Sequence, residues 1–319
     1  MKYSIICPFF NEENIIAASV KLMLSNLGKL KEPWELIIVN DGSTDNSVSI
    51  ARRLESENDN LRLVSYEYNR GRGYAIRQGA YKASGDIIVT TEIDSSWGDD
   101  IILRIVDEFK TKPDADIIIA SPNLPSGGYK NVPLLRIILS RFGNLIVRSG
   151  LTYKVTMNTG MTRGYLLHRF LDLPLQEDEK EMHLEIVNKA LAFGYRIYEI
   201  PAILEWKDSK LAATNKKRKS SARLQKLIKS HVLFSILAAP FRYLYVVSML
   251  LFFTTLLTFG WALYNFISSL PSINLVLMAI VLAIFSFLVF SIGILSQQGK
   301  ALQADLWVIQ RDLKRIIKN

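Results

Sequence analysis

Apolar and polar positions alternate in two different ways along this chain of 319 residues. In the amino-terminal part, short apolar runs are separated by longer segments with helical spacing. Tyr3–Pro8, Trp34–Val39, Leu61–Tyr66, Asp86–Thr91 and Ala115–Ala120 predict strands, and Leu36 to Val39 form an unbroken run of the kind buried on both faces. The intervening stretches 12–27, 45–57, 72–83 and 99–111 predict helices. Strands alternating with helices of that length predict an α/β domain with a Rossmann-like, mostly parallel sheet covered on both faces. Ligands of such sheets bind beyond the carboxyl ends of the strands. The polar clusters Asn11/Glu12, Asn40/Asp41, Asn69–Gly73 and Glu92/Asp94 all fall there.

The second pattern is continuous. Arg242 and Lys300 enclose residues 243–299, a stretch without a single Asp, Glu, Lys or Arg. A bilayer crossing needs about 20 apolar residues, and both 243–267 and 273–295 reach that length. Ser268, Ser269, Pro271 and Ser272 interrupt the run, which predicts a hairpin of two transmembrane helices. A buried hairpin of a soluble domain is the plainer alternative. Residues 222–242 mix basic and apolar positions and predict an interfacial helix ahead of the first span. The tail 297–319 carries Leu302, Leu306, Ile309 and Leu313 at helical spacing, so it lies on the membrane or packs on the domain. No signal peptide precedes the first strand. The expected division is therefore a domain over 1–221, a juxtamembrane segment over 222–242, spans over 243–267 and 273–295, and the tail over 297–319.

Charge sharpens this picture. The net charge is +9, but it is local. Residues 206–231 hold nine Lys/Arg and one Asp, and residues 232–319 hold six basic and two acidic residues, so the first 205 carry 9 − 8 − 4 = −3. A mildly acidic domain is a poor nucleic-acid binder, and no nucleic-acid partner is expected. Basic residues crowd both outer ends of the hairpin, so the domain and both termini are expected on the cytoplasmic side. The single cysteine, Cys7, excludes a disulfide framework.

Several short patterns carry candidate chemistry. Asp41-Gly42-Ser43-Thr44-Asp45 follows a strand and precedes a helix, where it is either a capping turn or part of a binding loop. Arg70-Gly71-Arg72-Gly73 opens the next helix with backbone and guanidinium donors suited to an anion. Glu92-Ile93-Asp94 follows an apolar run; two carboxylates at that spacing either hold Mg²⁺ or Mn²⁺ and leave sites for phosphate oxygens, or are solvated loop residues. Gly127-Gly128 and the apolar residues of 134–147 read as a loop leading to an amphipathic helix near the membrane or buried against the domain.

Together these patterns resemble the family-2 glycosyltransferases of GT-A fold. The nearest likeness is to the polyprenyl-phosphate glycosyltransferases, the group of dolichyl-phosphate mannose synthases and glucosyltransferases. Pro8-Phe9-Phe10-Asn11-Glu12 resembles the family's P-x-Y/F-N-E opening. Asn40-Asp41-Gly42-Ser43-Thr44-Asp45 resembles D-D-G-S-x-D, Asn69 to Ala75 resembles N-x-G-K-G-x-A with Arg72 for Lys, and Glu92-Ile93-Asp94 stands at the D-x-D position. Asn158-Thr159-Gly160-Met161, His183-Leu184-Glu185 and Gly194-Tyr195-Arg196-Ile197-Tyr198-Glu199-Ile200-Pro201 continue the likeness, and Lys207-Asp208-Ser209-Lys210 and Arg218-Lys219-Ser220 both approximate its Arg/Ser-Lys element.

The resemblance implies inverting transfer of a hexose from GDP-mannose or UDP-glucose to a polyprenyl or dolichyl phosphate at the membrane. Pro8, Phe10, Glu12, Asp41, Arg72 and Ile93 would bind the nucleotide sugar. Glu92, Asp94 and Ser96 would hold the divalent cation. Asp94, Glu185 and Arg218 would carry catalysis, with Glu185 on a sugar hydroxyl or in a structural role on its helix. Arg136, Arg141, Lys207, Lys210 and Arg218 are the candidates for the acceptor phosphate. A lipid bilayer is an implied partner, and a homo-oligomer is compatible with the hairpin. The alternatives are transfer to another lipid or into a polysaccharide, and a noncatalytic membrane scaffold.

Overall fold

The computed structural model describes residues 1–134, 137, 155–206, 240–268, 270 and 272–318. The chain divides into two compact units. One holds the α/β domain together with Trp307–Asn319, and the other holds the rest of the carboxyl-terminal helices.

In the first unit, β1 (Tyr3–Phe9), α1 (Ile16–Leu27), β2 (Trp34–Asp41), α2 (Ser47–Ser56), β3 (Leu61–Tyr66), α3 (Arg72–Lys82), β4 (Ile87–Thr90), α4 (Ile101–Thr111) and β5 (Ile117–Ser121) alternate as the pattern predicts. Then come β6 (Gly128–Lys130), β7 (Arg163–Leu166), α5 (Leu167–Asp172), α6 (Met182–Ala192), β8 (Ile197–Pro201) and β9 (Ile203–Glu205). Among the described strands, seven form one sheet in the order β3-β2-β1-β4-β7-β5-β8, while β6 and β9 pair separately. The central strands are buried on both faces: Ile5, Ile6, Leu36 to Val39 and Ile87 to Val89 have no exposed surface.

One strand departs from the parallel expectation. β7 runs antiparallel between β4 and β5, so the sheet is mixed. Its sequence, Arg163-Gly164-Tyr165-Leu166, lacks the apolar run that marks the other inner strands. Gly164 lets α4 approach closely, since a Cβ there would lie 2.5 Å from Ile105 and Phe109.

Sheet order also locates the site. β1 connects onward to β2 and β3 on one side, whereas β4 lies on its other side. The strand order therefore reverses between β1 and β4, which opens a crevice beyond their carboxyl ends.

The second unit is built on α7 (Pro240–Ile267) and α8 (Ile273–Lys318), each long and apolar enough to cross a membrane. Small residues form their seam. Ser248 Oγ donates to Ser286 O at 3.0 Å and Ser286 Oγ donates back to Ser248 O at 2.9 Å, and Ala262 and Ala279 are buried. Such small residues allow two helices to approach closely. Large side chains such as Leu257 and Phe287 point outward, more than 70% exposed. The separate tail expected after residue 296 is a continuation of α8, which runs through Gly299 with no proline to end it. Its final turns pack within the α/β unit: Lys189 Nζ lies 5.1 Å from the Trp307 ring centre, and the Arg311 guanidinium 4.8 Å from that of Phe193.

Candidate active site

Glu92, Ile93 and Asp94 leave the end of β4 beside the end of β1, where Thr91 N donates to Ile6 O at 3.0 Å. Ile93 is buried, so its side chain anchors the turn and only its main chain is available to a ligand. Ser95 takes a left-handed conformation, φ 50°. This turns the chain so that Ser96 N donates to Asp94 Oδ1 at 3.0 Å, and the Ser96 hydroxyl donates to the same oxygen. Ser96 therefore holds Asp94 in place. Glu92 accepts from Trp97 Nε1 at 3.2 Å and from Arg72 Nη1 at 3.4 Å. Trp97 and Ser95 are contributions that the motif alone did not reveal.

The negative field of this mouth reaches the core. The Cys7 thiol is held well above its ordinary pKa by burial first, then by Asp94, Glu92 and Glu12. Glu92 and Asp94 follow the end of β4, and Glu12 follows the end of β1. Hard oxygen donors of this kind fit Mg²⁺ or Mn²⁺. Among the described residues no group of three or more His, Cys, Asp and Glu is gathered to hold a metal ion.

Asp41 is placed beside this crevice and is heavily engaged. Its carboxylate accepts from Tyr66 OH at 2.8 Å, Arg70 N at 2.8 Å, Asn69 Nδ2 at 3.1 Å and Gly71 N at 3.1 Å. Burial and this bond together push the Tyr66 hydroxyl pKa far up. The residue read as a nucleotide contact therefore also shapes the loop 69–71. Gly42, at φ 68°, allows that loop to pass against the turn. Phe10 is 43% exposed and Asn11 adopts φ 55°, its Oδ1 accepting from Thr44 N at 2.8 Å. The opening motif and the Asp41 motif are thus stitched together, with Pro8 on β1 and Glu12 N donating to Ser47 Oγ at 2.8 Å.

Glu185 is also engaged. Its carboxylate accepts from Gln176 N at 2.9 Å, Glu177 N at 3.0 Å and Lys189 Nζ at 2.6 Å. Of its two sequence readings, this geometry carries the structural one. Glu199, in β8, accepts from Thr156 N at 2.9 Å and Met157 N at 2.9 Å, fixing the chain just before Asn158. Arg136, Arg141, Lys207, Lys210 and Arg218 lie outside the described residues, as do 138–154 and 207–239.

A buried polar knot backs the site. Arg163 has no exposed surface and donates to Gly160 O at 2.7 Å, Asn158 O at 2.6 Å and His183 O at 3.1 Å. His183 is 1% exposed and neither ring nitrogen has a hydrogen-bond partner among the described residues. Burial, then Arg163 and Arg72, hold its pKa well below the ordinary value. The unfolded chain consequently takes up a proton below about pH 6.5 that the folded chain refuses, so stability is lost as the pH drops below that value, by up to about 1.4 kcal/mol for each unit of decrease. Thermal melts between pH 7 and 5.5 should show this fall, and His183→Leu should flatten it. An unchanged slope in the variant would assign the loss to other groups.

The sequence profile of the family described as glycosyl transferase family 2 matches residues 4–170, just over half of the chain. The chain belongs to that family. The matched span contains the opening motif, Asp41, the Arg70–Gly73 loop, Glu92/Asp94 and Arg163. One relative in the family is the undecaprenyl-phosphate 4-deoxy-4-formamido-L-arabinose transferase of Pectobacterium atrosepticum, 30% identical over 105 residues, or 33% of this chain and 32% of the relative. Another is the poly-beta-1,6-N-acetyl-D-glucosamine synthase of Staphylococcus aureus, 31% identical over 116 residues, or 36% of this chain and 27% of the relative. The chain thus matches a third or less of the length of these relatives. Among solved structures, glucosyl-3-phosphoglycerate synthase of Mycobacterium tuberculosis in complex with uridine diphosphate superposes with a TM-score of 0.53 at 18% identity, covering 73% of this chain and 79% of that one. That likeness shows the GT-A-like fold. These comparisons carry the family and the fold, and not the narrower dolichyl-phosphate mannose or glucose synthase group.

Proposed function

We propose that the chain is a membrane-attached glycosyltransferase that moves a sugar from a nucleoside diphosphate sugar to an acceptor presented at a lipid surface. The observation that carries this reading is the placement of Glu92 and Asp94 at the strand-order reversal between β1 and β4, with Arg72 against Glu92. A divalent cation held by these carboxylates would stabilise charge on the departing diphosphate. The structural neighbour with bound uridine diphosphate supports a nucleotide donor. Arg72, half-exposed beside Glu92, would donate to a donor phosphate there. The bond between the anomeric carbon and the diphosphate oxygen breaks as an acceptor oxygen bonds to that carbon. Pro8, Phe10 and Glu12 would wall the nucleoside, with Asp41 setting the loop beneath it.

Two acceptor classes follow from the relatives. The Pectobacterium protein's name specifies undecaprenyl phosphate, an acceptor already anionic at neutral pH that needs no general base. Arg136, Arg141, Lys207, Lys210 and Arg218 are the residues we assign to such a phosphate. The Staphylococcus protein's name specifies a polysaccharide synthase and supports a growing glycan instead. Membranes containing the full chain, incubated with a panel of nucleotide sugars, separate the two. Sugar recovered in lipid extracts on adding undecaprenyl phosphate supports the first; sugar in long polymer supports the second. No Mg²⁺- or Mn²⁺-dependent transfer from any donor would refute the enzyme and favour a scaffold.

The hairpin α7/α8 supplies the attachment, with the domain and both termini on the cytoplasmic side. Cys7 is the only cysteine and is buried. A Ser269→Cys variant should therefore react with a membrane-impermeant maleimide from the outer face only. Labelling from the cytoplasmic face alone would overturn this topology.

A further inference from the structure

Helix α3, which carries Arg72, begins without a cap of its own. Its N-cap is Gly71, at φ 96°, with no side chain to accept from the first amides. The acceptor comes from about 100 residues further along: Tyr74 N donates to Asp178 O at 3.0 Å. A Cβ on Gly73 would lie 2.7–2.8 Å from the carbonyl oxygens of Glu177, Asp178 and Glu179, so that segment is pressed against the first turn. Arg77 adds bonds to Glu177 O and to the Asp178 carboxylate.

The opposite side of the same segment is tied to α6. Glu185 accepts from the amides of Gln176 and Glu177. Lys189 Nζ donates to Glu185 Oε1 and to Pro174 O, both at 2.6 Å, with its side chain only 4% exposed. A charged pair at that depth gives little net stability over apolar residues of similar volume. What it adds is a fixed geometry for the chain between Pro174 and Asp178.

We propose that Lys189 is a positioning residue. Acting through Glu185, it fixes the 174–178 segment that caps α3, and so aims Arg72 at Glu92 and at the donor diphosphate. This rests on the reading of that crevice as the donor site. The test is steady-state kinetics on the full chain in membranes, comparing Lys189→Met, Arg72→Gln and the double variant. Asp178→Asn, at a half-exposed position on the other side of the segment, is paired with Arg72→Gln in the same way. Lys189→Met should raise the donor KM about fivefold while the acceptor KM stays constant, and Lys189→Arg should restore most of it. Each double variant should lose no more than about twofold beyond Arg72→Gln alone, because both residues act through Arg72. If Lys189→Met does not fold, the Asp178→Asn pair decides. Multiplicative losses with an active parent overturn the positioning role and leave the donor site standing. An inactive parent with every donor removes the donor-site reading, and this proposal with it.

Discussion

Replacing Asp94 by Asn is expected to lower kcat by about 10²- to 10³-fold without unfolding the chain. The exchange keeps the shape and the oxygen that accepts from Ser96 N and Ser96 Oγ, so the turn at Ser95 survives. It removes one of the two charges offered to the divalent cation. Ion stabilisation of a leaving diphosphate contributes several kcal/mol to the transition state, and each 1.4 kcal/mol is about tenfold in rate. Activity should be regained in part by raising Mn²⁺, which restores occupancy and not ligand charge. Full Mg²⁺- or Mn²⁺-dependent turnover in Asp94→Asn would remove Asp94 from the metal assignment. A parallel melt shows whether any loss is merely structural.

The second large effect is structural. Asp41→Ala should destabilise the domain by about 3–5 kcal/mol, because a buried carboxylate vanishes and its donors are left without an acceptor. Tyr66 OH, Arg70 N and Gly71 N lose this partner together, while Asn69 Nδ2 keeps the main-chain oxygen of residue 41 at 3.0 Å. The loop 69–71 directly precedes α3, so nucleotide binding should fall along with stability. Asp41→Asn keeps one carbonyl oxygen and should be intermediate in both. If Asp41→Ala melted like the parent and lost only nucleotide affinity, the carboxylate would be a ligand contact and not the organiser of its loop.

These two residues show how far the motifs reach. Both stand at strand ends in the sequence, and period and polarity placed them on one rim of the sheet. Features written in residue type were legible as features: the carboxylate pair at 92 and 94, the basic glycine-rich loop at 70–73, the charge-free stretch from 243 to 299. Less legible were groups whose meaning depends on distant partners. Glu185 is open in the sequence to a sugar contact or a structural role on its helix, and the partners of its oxygens, Gln176, Glu177 and Lys189, appear only in the fold. The bonds from Ser96 to Asp94 are likewise invisible in the motif. Trp97, Arg163 and Lys189 carry no local signature; only packing brings them to the site.

What the sequence determined by itself was local and periodic. Alternating apolar runs dictate the strands and helices, because each must bury one face or both. Residues 243–299 dictate two long apolar helices, because no charge interrupts them. The tertiary structure decided what depends on pairs far apart in the chain. It set β7 antiparallel between β4 and β5, where Gly164 admits α4. It joined Asp41 to the loop 69–71 and the 177–179 segment to the mouth of α3. Hydrogen bonds of this kind specify a partner and not a pattern, so one-dimensional spacing does not encode them and the folded chain does.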